Sequence, residues 1–254
     1  MAVMDEFNKE RESLKNAPFS EKIGYFWDYY RYITLVIIIA ILVVTSIVYT
    51  IATKKDTMVY TCFINAQKDD AESYDLENEF NKLGVIDSEK ESIIIDTSLL
   101  FNENSRQTDM GTNSQKLTAL IASRELDLIV TNEQAFSEIA CEIIFNDLRD
   151  VLSEELLNQY QSRIYYVDKD LVFKLSEERD NLESNEINEL IEAIMDNEDV
   201  SKMVDPMPVG IVLDKDSIVF DEYTFYNDEE IICGILYNSE RVDTSISFMN
   251  MIFK

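Results

Sequence analysis

The hydrophobic pattern of this chain begins with one long, uninterrupted apolar run. Residues 32–52 are 21 positions without a charge, and most of them are Ile, Val, Leu or Ala. An α-helix rises 1.5 Å per residue, so the run would span about 30 Å, the thickness of a bilayer's hydrocarbon core. We therefore predict a transmembrane helix over residues 32–53, because a buried core helix of this length would need a far larger protein around it.

A cleaved export signal is the main alternative for this run. Signal sequences have a shorter apolar region, of about 7–15 residues, that ends at small residues in an Ala-x-Ala-like pattern. This run is longer, begins only at residue 32 and ends in Thr-Ile-Ala-Thr-Lys-Lys. The pattern favours an uncleaved, single-pass anchor.

Aromatic residues crowd the positions just before the apolar run. Tryptophan and tyrosine favour the headgroup level, where one side of the ring is apolar and the other is wet. The predicted membrane-interface residues are Tyr25, Phe26, Trp27, Tyr29, Tyr30 and Tyr32. Five basic residues precede the run and two follow it, so we expect the N-terminus in the cytoplasm. Residues 1–31, with a short polar helix over Asp5–Lys15, then form a cytoplasmic tail, and residues 57–254 form an extracytoplasmic domain.

Beyond the anchor, short apolar runs alternate with segments of helical periodicity. We predict strands at 57–65, 92–97 and 127–132, and helices at 69–83, 114–126 and 133–145, with Gly84 as a helix C-cap. The later segments predict strands at 163–168, 171–175, 209–213 and 230–237, and helices at 186–204 and 245–253. The βαβαβα order predicts an α/β fold with a parallel or mixed sheet and covering helices.

Charge is distributed very unevenly along the chain. Residues 1–56 carry seven basic and seven acidic side chains, whereas residues 57–254 carry 15 basic and 43 acidic ones, which accounts for the whole net charge of −28. So negative a domain repels phosphate backbones and anionic headgroups. We expect it to bind neither nucleic acid nor lipid headgroups. A solvated surface is the simplest interpretation, and a surface for cations or a basic partner is the alternative.

The residue types present exclude several kinds of chemistry. The chain has no histidine, so His-based triads and His-containing metal sites are absent. Cys62, Cys141 and Cys233 form no CxxC pair, and we expect Cys62 and Cys233 to be small buried residues. No Gly-rich phosphate-binding motif occurs. We expect no catalytic residue, metal or cofactor, since an enzyme here would depend on carboxylates alone.

Ligands of open α/β sheets bind beyond the carboxyl ends of parallel strands, which directs attention to the polar loops there. The candidate ligand-binding residues are Asn65, Gln67, Thr97, Ser98, Asn113, Ser114, Thr131 and Asn132. Ordinary turn chemistry explains the same residues. Tyr165, Tyr166, Tyr223 and Tyr226 are candidates for stacking on a sugar-like ligand or for the core. Asp214, Asp216 and Asp221 lack the glycine and spacing of an EF-hand, so we predict a hairpin turn there.

Three segments resemble bacterial extracellular solute-binding proteins. Residues 115–130, QKLTALIASRELDLIV, are similar to the helix and strand that enter the first lobe of that family, and residues 135–152 to the helix and loop that follow. Residues 234–252, GILYNSERVDTSISFMNMI, are similar to the late strand and helix that return the chain to the first lobe. Arg124 stands where the family usually has glycine, and Leu126 where proline often precedes the aspartate. Family members are longer, with two full lobes.

The resemblance implies a reduced, membrane-anchored solute-binding fold. Its function would be that of a tethered, non-catalytic module for ligand capture or sensing, with a small-molecule ligand and a membrane transporter or other membrane protein as partners. The alternative is a structural or assembly partner of another membrane protein that has lost ligand binding.

Overall fold

The computed structural model describes residues 18–67, 70–101, 107–142, 144–196, 199–215, 217–221, 223–227 and 230–253. The chain divides into two compact units, which meet between Lys54 and Lys55. The helix predicted over Asp5–Lys15 lies outside the described residues.

The first unit contains a single long helix in its described part, α1 (Phe19–Thr53). Its stretch Tyr30–Thr53 is long and apolar enough to cross a membrane, and its large apolar side chains are exposed. The hydroxyls of Thr50 and Thr53 donate to carbonyls four residues earlier, at 2.9 and 2.8 Å, so these polar groups are satisfied within the helix.

The predicted interfacial aromatics lie along the first part of α1. Phe26, Trp27, Tyr30 and Tyr32 are exposed, and the rings of Phe26 and Tyr30 stack with centroids 5.4 Å apart. The side chains of Tyr25 and Tyr29 lie outside the described part of the chain.

The second unit is an α/β domain. In its described residues six strands form one mixed sheet in the order β2-β1-β3-β6-β5-β4. The strands are β1 (Asp56–Phe63), β2 (Glu91–Asp96), β3 (Leu128–Asn132), β4 (Ile164–Asp168), β5 (Pro206–Val212) and β6 (Ile231–Ile235). The predicted parallel group is confirmed for β1, β2 and β3. The late strand β6 is antiparallel to β3, and the remaining pairs are antiparallel too, so the sheet is mixed.

Helices cover both faces of this sheet. They are α2 (Asp70–Lys82), α3 (Gln107–Ala122), α4 (Glu133–Ala140), α5 (Leu148–Val151), α6 (Glu154–Tyr160), α7 (Lys169–Glu178), α8 (Ser184–Met195), α9 (Ile218–Asp221) and α10 (Val242–Ile252). Short 3₁₀ turns occur at Gln161–Arg163, Arg179–Asn181 and Val200–Lys202.

Successive side chains along each strand point to opposite faces of the sheet, so a hydrophobic core forms on each face. In β1, Phe63 faces the core shared with α2 and α10, while Cys62 faces the core shared with α3 and α4. Cys62, Cys141 and Cys233 are all buried and free, which confirms the prediction made for Cys62 and Cys233. A Cβ at Gly234 would lie 2.7 Å from the ring of Phe145, so glycine is needed where that ring crosses the sheet.

Three predictions about the later elements are wrong. The strand predicted at 171–175 lies within α7, because the Asp168 side chain accepts the N–H of Asp170 and starts a helix there. The helix predicted over 133–145 ends at Ala140, since Phe145 forms a β-bridge with Leu236. The helix predicted over 186–204 ends at Met195.

The predicted hairpin turn after Leu213 is also wrong, because a connection that contains the short helix α9 joins β5 to β6. Asp214 pairs there with Arg163. Asp216 and the side chain of Asp221 lie outside the described residues.

Candidate functional site

The carboxyl ends of β1 and β3 bring three of the predicted ligand-binding residues together. The Asn65 side chain donates to Oδ1 of Asn132 at 3.0 Å, and the Thr131 hydroxyl donates to the same oxygen at 3.2 Å. Oδ1 of Asn65 accepts the backbone N–H of Phe101 at 2.6 Å. Asn65 has a φ of 60°, a left-handed conformation that asparagine tolerates better than most residues. These polar groups therefore bond to one another and fix the loop after β2.

Ser98, at the carboxyl end of β2, belongs to a second polar cluster. Lys116 of α3 donates to Oδ2 of Asp96 at 2.6 Å and to the Ser98 hydroxyl at 2.7 Å, and the Tyr60 hydroxyl donates to Asp96 at 2.9 Å. The neighbouring Thr97 is buried.

Fixed charges dominate this second cluster. Burial opposes ionisation of Asp96, but the hydrogen bonds from Lys116, Ser98 and Tyr60 outweigh it, and the pKa of Asp96 is lowered. Burial, and then the Asp96 charge, raise the pKa of Tyr60. Around neutral pH, Asp96 is therefore ionised and Tyr60 protonated, and the cluster keeps a constant charge distribution.

A segment of the β5–β6 connection lies across the same ends of the sheet. Its Tyr226 hydroxyl donates to the carbonyls of Ile64 and Val130, at 3.1 and 2.8 Å, and the Phe225 carbonyl accepts the Gln67 N–H at 2.7 Å. The predicted residue Gln67 thus contacts this segment, and its side chain donates to Asn227 at 3.0 Å. The ends of β1 and β3 are therefore hydrogen-bonded to this segment.

The four tyrosines considered for stacking are divided between core and surface. Tyr165 and Tyr226 are buried, whereas Tyr166 and Tyr223 are half-buried. The Tyr165 hydroxyl lies 2.7 Å from that of Ser137. They do not converge on one site.

An apolar groove lies between α3 and α4. It has a volume of about 610 Å³ and is lined mainly by Phe101, Leu117, Ile121, Ile139, Ile144 and Tyr237. Ser114 is the one predicted ligand-binding residue in its wall. Tyr237 is 56% exposed, which is high for a large aromatic side chain beside an apolar surface.

Both ends of the groove are held by hydrogen bonds from polar residues. At one end, Asn113 donates to the Leu100 carbonyl at 2.9 Å and Asn65 binds the Phe101 N–H, so the loop that carries Phe101 is fixed. At the other end, Asn238 donates to the Ile121 carbonyl at 2.6 Å. The N–H of Tyr237 donates to the Ile144 carbonyl at 2.8 Å. The predicted residues Asn65 and Asn113 therefore hold the loop that forms this end of the groove.

The charged side chains in the groove wall are acidic. Glu138, in α4, and Glu142, two residues beyond the end of that helix, both line the groove. Glu142 pairs with Arg179 of the following region at 2.6 Å, and both side chains are about half exposed. The wall is thus apolar at its centre and negative at its margin.

Sequence reasoning missed the groove because its apolar residues have the spacing of ordinary core positions. Leu117, Leu120 and Ile121 form one helical face in the sequence, and that face is only partly covered. Tyr237, two residues after the buried strand β6, is exposed in the groove, and the sequence pattern alone does not distinguish it from a core aromatic residue.

Among the described residues, no group of three or more His, Cys, Asp or Glu side chains could hold a metal ion.

Comparisons of the chain with models of protein families, with curated proteins and with solved structures find no significant match.

Proposed function

We propose that this protein is a single-pass, membrane-anchored docking module, and that its acidic domain binds another membrane protein through the α3–α4 groove. The observation that carries the proposal is a contrast between two neighbouring surfaces. The polar groups at the strand ends are hydrogen-bonded to one another, whereas the groove beside them leaves large apolar side chains exposed. This favours the assembly role over capture of a polar solute.

The anchor in this proposal is α1, with the N-terminus in the cytoplasm and the acidic domain outside. The length of Tyr30–Thr53 and the excess of basic residues before it support this orientation.

Two structural features support the likeness to one lobe of a solute-binding protein. Arg124 has a φ of 58°, the left-handed conformation that a glycine would adopt at the position where the family usually has one. The late strand β6 lies beside β3, and α10 contacts β1, in agreement with a late return of the chain to the first sheet.

The partner segment that fits the groove is basic and amphipathic. An apolar stripe at helical spacing would cover Ile121 and Ile139, and flanking Lys or Arg side chains would face Glu138 and Glu142. The domain's excess of 28 negative charges favours a basic partner at longer range and disfavours a second copy of the same chain.

Co-purification tests this proposal. The tagged full-length chain, extracted from its own membranes in mild detergent, should retain a membrane protein that the Ile121→Glu variant loses. Tyr74→Glu, at an exposed position on α2 outside the groove, is the matched control and should retain it. The proposal is wrong if the Ile121→Glu variant, with unchanged thermal stability, keeps the same partner.

A second candidate function is capture of an apolar small molecule. The groove's volume of about 610 Å³ lies within the range of about 300–1,000 Å³ that small-molecule sites have, and supports this candidate. It predicts that apolar compounds raise the melting temperature of the parent chain but not of Ile121→Glu, and that no protein partner co-purifies.

A further inference from the structure

The loop that joins α2 to β2 is hydrogen-bonded to the chain at the end of the sheet where β1 and β2 begin. Asp56 and Glu91 are paired in register there, and the Asp56 N–H donates to the Lys90 carbonyl at 2.9 Å. Lys55 donates to the Ser88 carbonyl. The loop between α2 and β2 is therefore bonded to the first residues of the domain.

This loop exposes two aliphatic side chains at its turn. Leu83 is 47% exposed and Val85 is 45% exposed, on either side of Gly84, whose φ of 69° ends α2. Ile86 is buried and anchors the turn in the core. The two side chains are thus held outward by a fixed backbone.

The charge around this turn differs from that of the rest of the domain. Within residues 82–90, two lysines, at positions 82 and 90, balance two acidic residues, at positions 87 and 89. Residues 57–254 as a whole carry an excess of 28 negative charges. The turn is therefore a surface that a phospholipid headgroup layer does not repel.

The chain connection between α1 and β1 is short. Only Lys54 and Lys55 separate the end of α1 at Thr53 from the start of β1 at Asp56. Consecutive Cα atoms are about 3.8 Å apart, so this connection can span at most about 11 Å.

We propose that the segment 82–90 docks on the bilayer surface, with Leu83 and Val85 in the headgroup region and Lys82 facing phosphates. Aliphatic side chains beside lysines are the composition of surfaces that lie on membranes. This inference rests on the anchor of the proposed function but not on the groove. It also limits the expectation that the acidic domain avoids headgroups, since that expectation ignores this neutral turn.

Site-directed fluorescence in phospholipid vesicles tests the proposal on the full-length chain. Single Val85→Cys and Leu83→Cys variants are labelled with a polarity-sensitive thiol dye, and quenching by lipids that carry a nitroxide near the headgroup is measured. Cys62, Cys141 and Cys233 are buried and their pKa values are raised by burial, so the introduced cysteine is the one expected to react.

Two further positions separate the possible results. Ile41→Cys, in the middle of α1, reports on the anchor, and Tyr74→Cys, at an exposed position in the first half of α2, reports on exposed protein surface. We expect a blue-shifted, lipid-quenched signal at positions 41, 83 and 85 and a water-like signal at 74.

Each other outcome overturns a defined part of the account. Quenching at position 41 together with water-like signals at positions 83 and 85 refutes the docking of the turn and leaves the anchor intact. Positions 83 and 85 would also escape lipid quenching if the turn contacted a protein instead of lipid, and that result likewise refutes the docking. A water-like signal at 41 refutes the anchor and the inference with it. Equal quenching at 74 and 85 refutes a docked turn, because the contact would then be unspecific.

Discussion

A buried ion pair joins Arg241, just before α10, to Asp127, just before β3, and its removal should cost a large part of an ordinary domain's stability. Asp127, fully buried just before β3, accepts the Tyr60 N–H at 2.8 Å and the Ser239 hydroxyl at 2.6 Å. Arg241, just before α10, binds the same carboxylate at 2.9 Å through Nε and donates to the Glu125 carbonyl at 2.5 Å.

Arg241→Ala leaves the Asp127 carboxylate buried without its cation. Removing one partner of a buried pair costs about 3–5 kcal/mol, because the remaining charge keeps its desolvation penalty. The free energy of unfolding of a typical domain is about 5–15 kcal/mol, so the loss should be large. The stability of Arg241→Lys should lie between that of the parent chain and that of Arg241→Ala, since an ammonium group restores the positive charge but not the bidentate geometry of the guanidinium.

Urea unfolding of the full-length chain in detergent, followed by far-UV circular dichroism, measures this loss. The single tryptophan, Trp27, lies in α1, so its fluorescence does not report on the domain. The matched control is Glu240→Gln, which breaks the Arg124–Glu240 pair at 2.9 Å, where both side chains are more than 60% exposed. That change should cost no more than about 1 kcal/mol. Equal losses in Arg241→Ala and Glu240→Gln would refute the reasoning.

The remaining predictions concern packing, pH and thiol reactivity. Gly234→Ala places a Cβ 2.7 Å from the Phe145 ring and should destabilise the domain by about 1–3 kcal/mol in the same assay, whereas Gly111→Ala, with open space around its Cβ, should not. Folding lowers the pKa of Asp96, so its ionised carboxylate contributes to the free energy of unfolding above the unfolded pKa of about 3.9, and this contribution is lost as pH falls through the folded pKa. Asp96→Asn should therefore be less stable than the parent chain at pH 7 and should approach the parent's stability in acid. A stability difference that persists at pH 2 would contradict this. A thiol reagent at pH 8 should modify no native cysteine before unfolding, since Cys141, the least buried of the three, has its pKa raised to about 11; rapid labelling of the folded chain would contradict the burial.

Periodicity predicted the first half of the domain well because each element there has one strong signal. Residues 92–96 are a short, mainly β-branched run, and residues 128–130 are a short, continuous apolar run. Both form strands that are parallel to β1, and helix α3 lies between them in the chain. Gly84 ends α2 as predicted, through its left-handed backbone.

The second half was less predictable because long-range contacts decide it. Leu171, Val172 and Leu175 fit a strand or a helix equally well, and the Asp168 side chain selects the helix by capping it and by binding the N–H of Val204. Helix α4 stops early because Phe145 pairs with Leu236, a residue 91 positions later. Neither contact is visible in local periodicity.

The candidate site shows the same limit. The sequence indicated the polar loops at the strand ends, and the structure brings Asn65, Thr131 and Asn132 together there. It did not indicate that these groups would satisfy one another, or that Tyr226 would cross the ends of β1 and β3 from more than 90 positions away. The groove depends on a gap between two helices, which no residue pattern encodes.

Photo-crosslinking in living cells tests the central claim, docking of a membrane protein in the α3–α4 groove, most directly. A photoreactive phenylalanine analogue would replace Tyr237, which lies in the groove, or Tyr74, which is 63% exposed outside it. The account predicts an adduct with one membrane protein from position 237, its loss in the Ile121→Glu background, and no such adduct from position 74. The same adduct from both positions, or an adduct at 237 that survives Ile121→Glu, would contradict it.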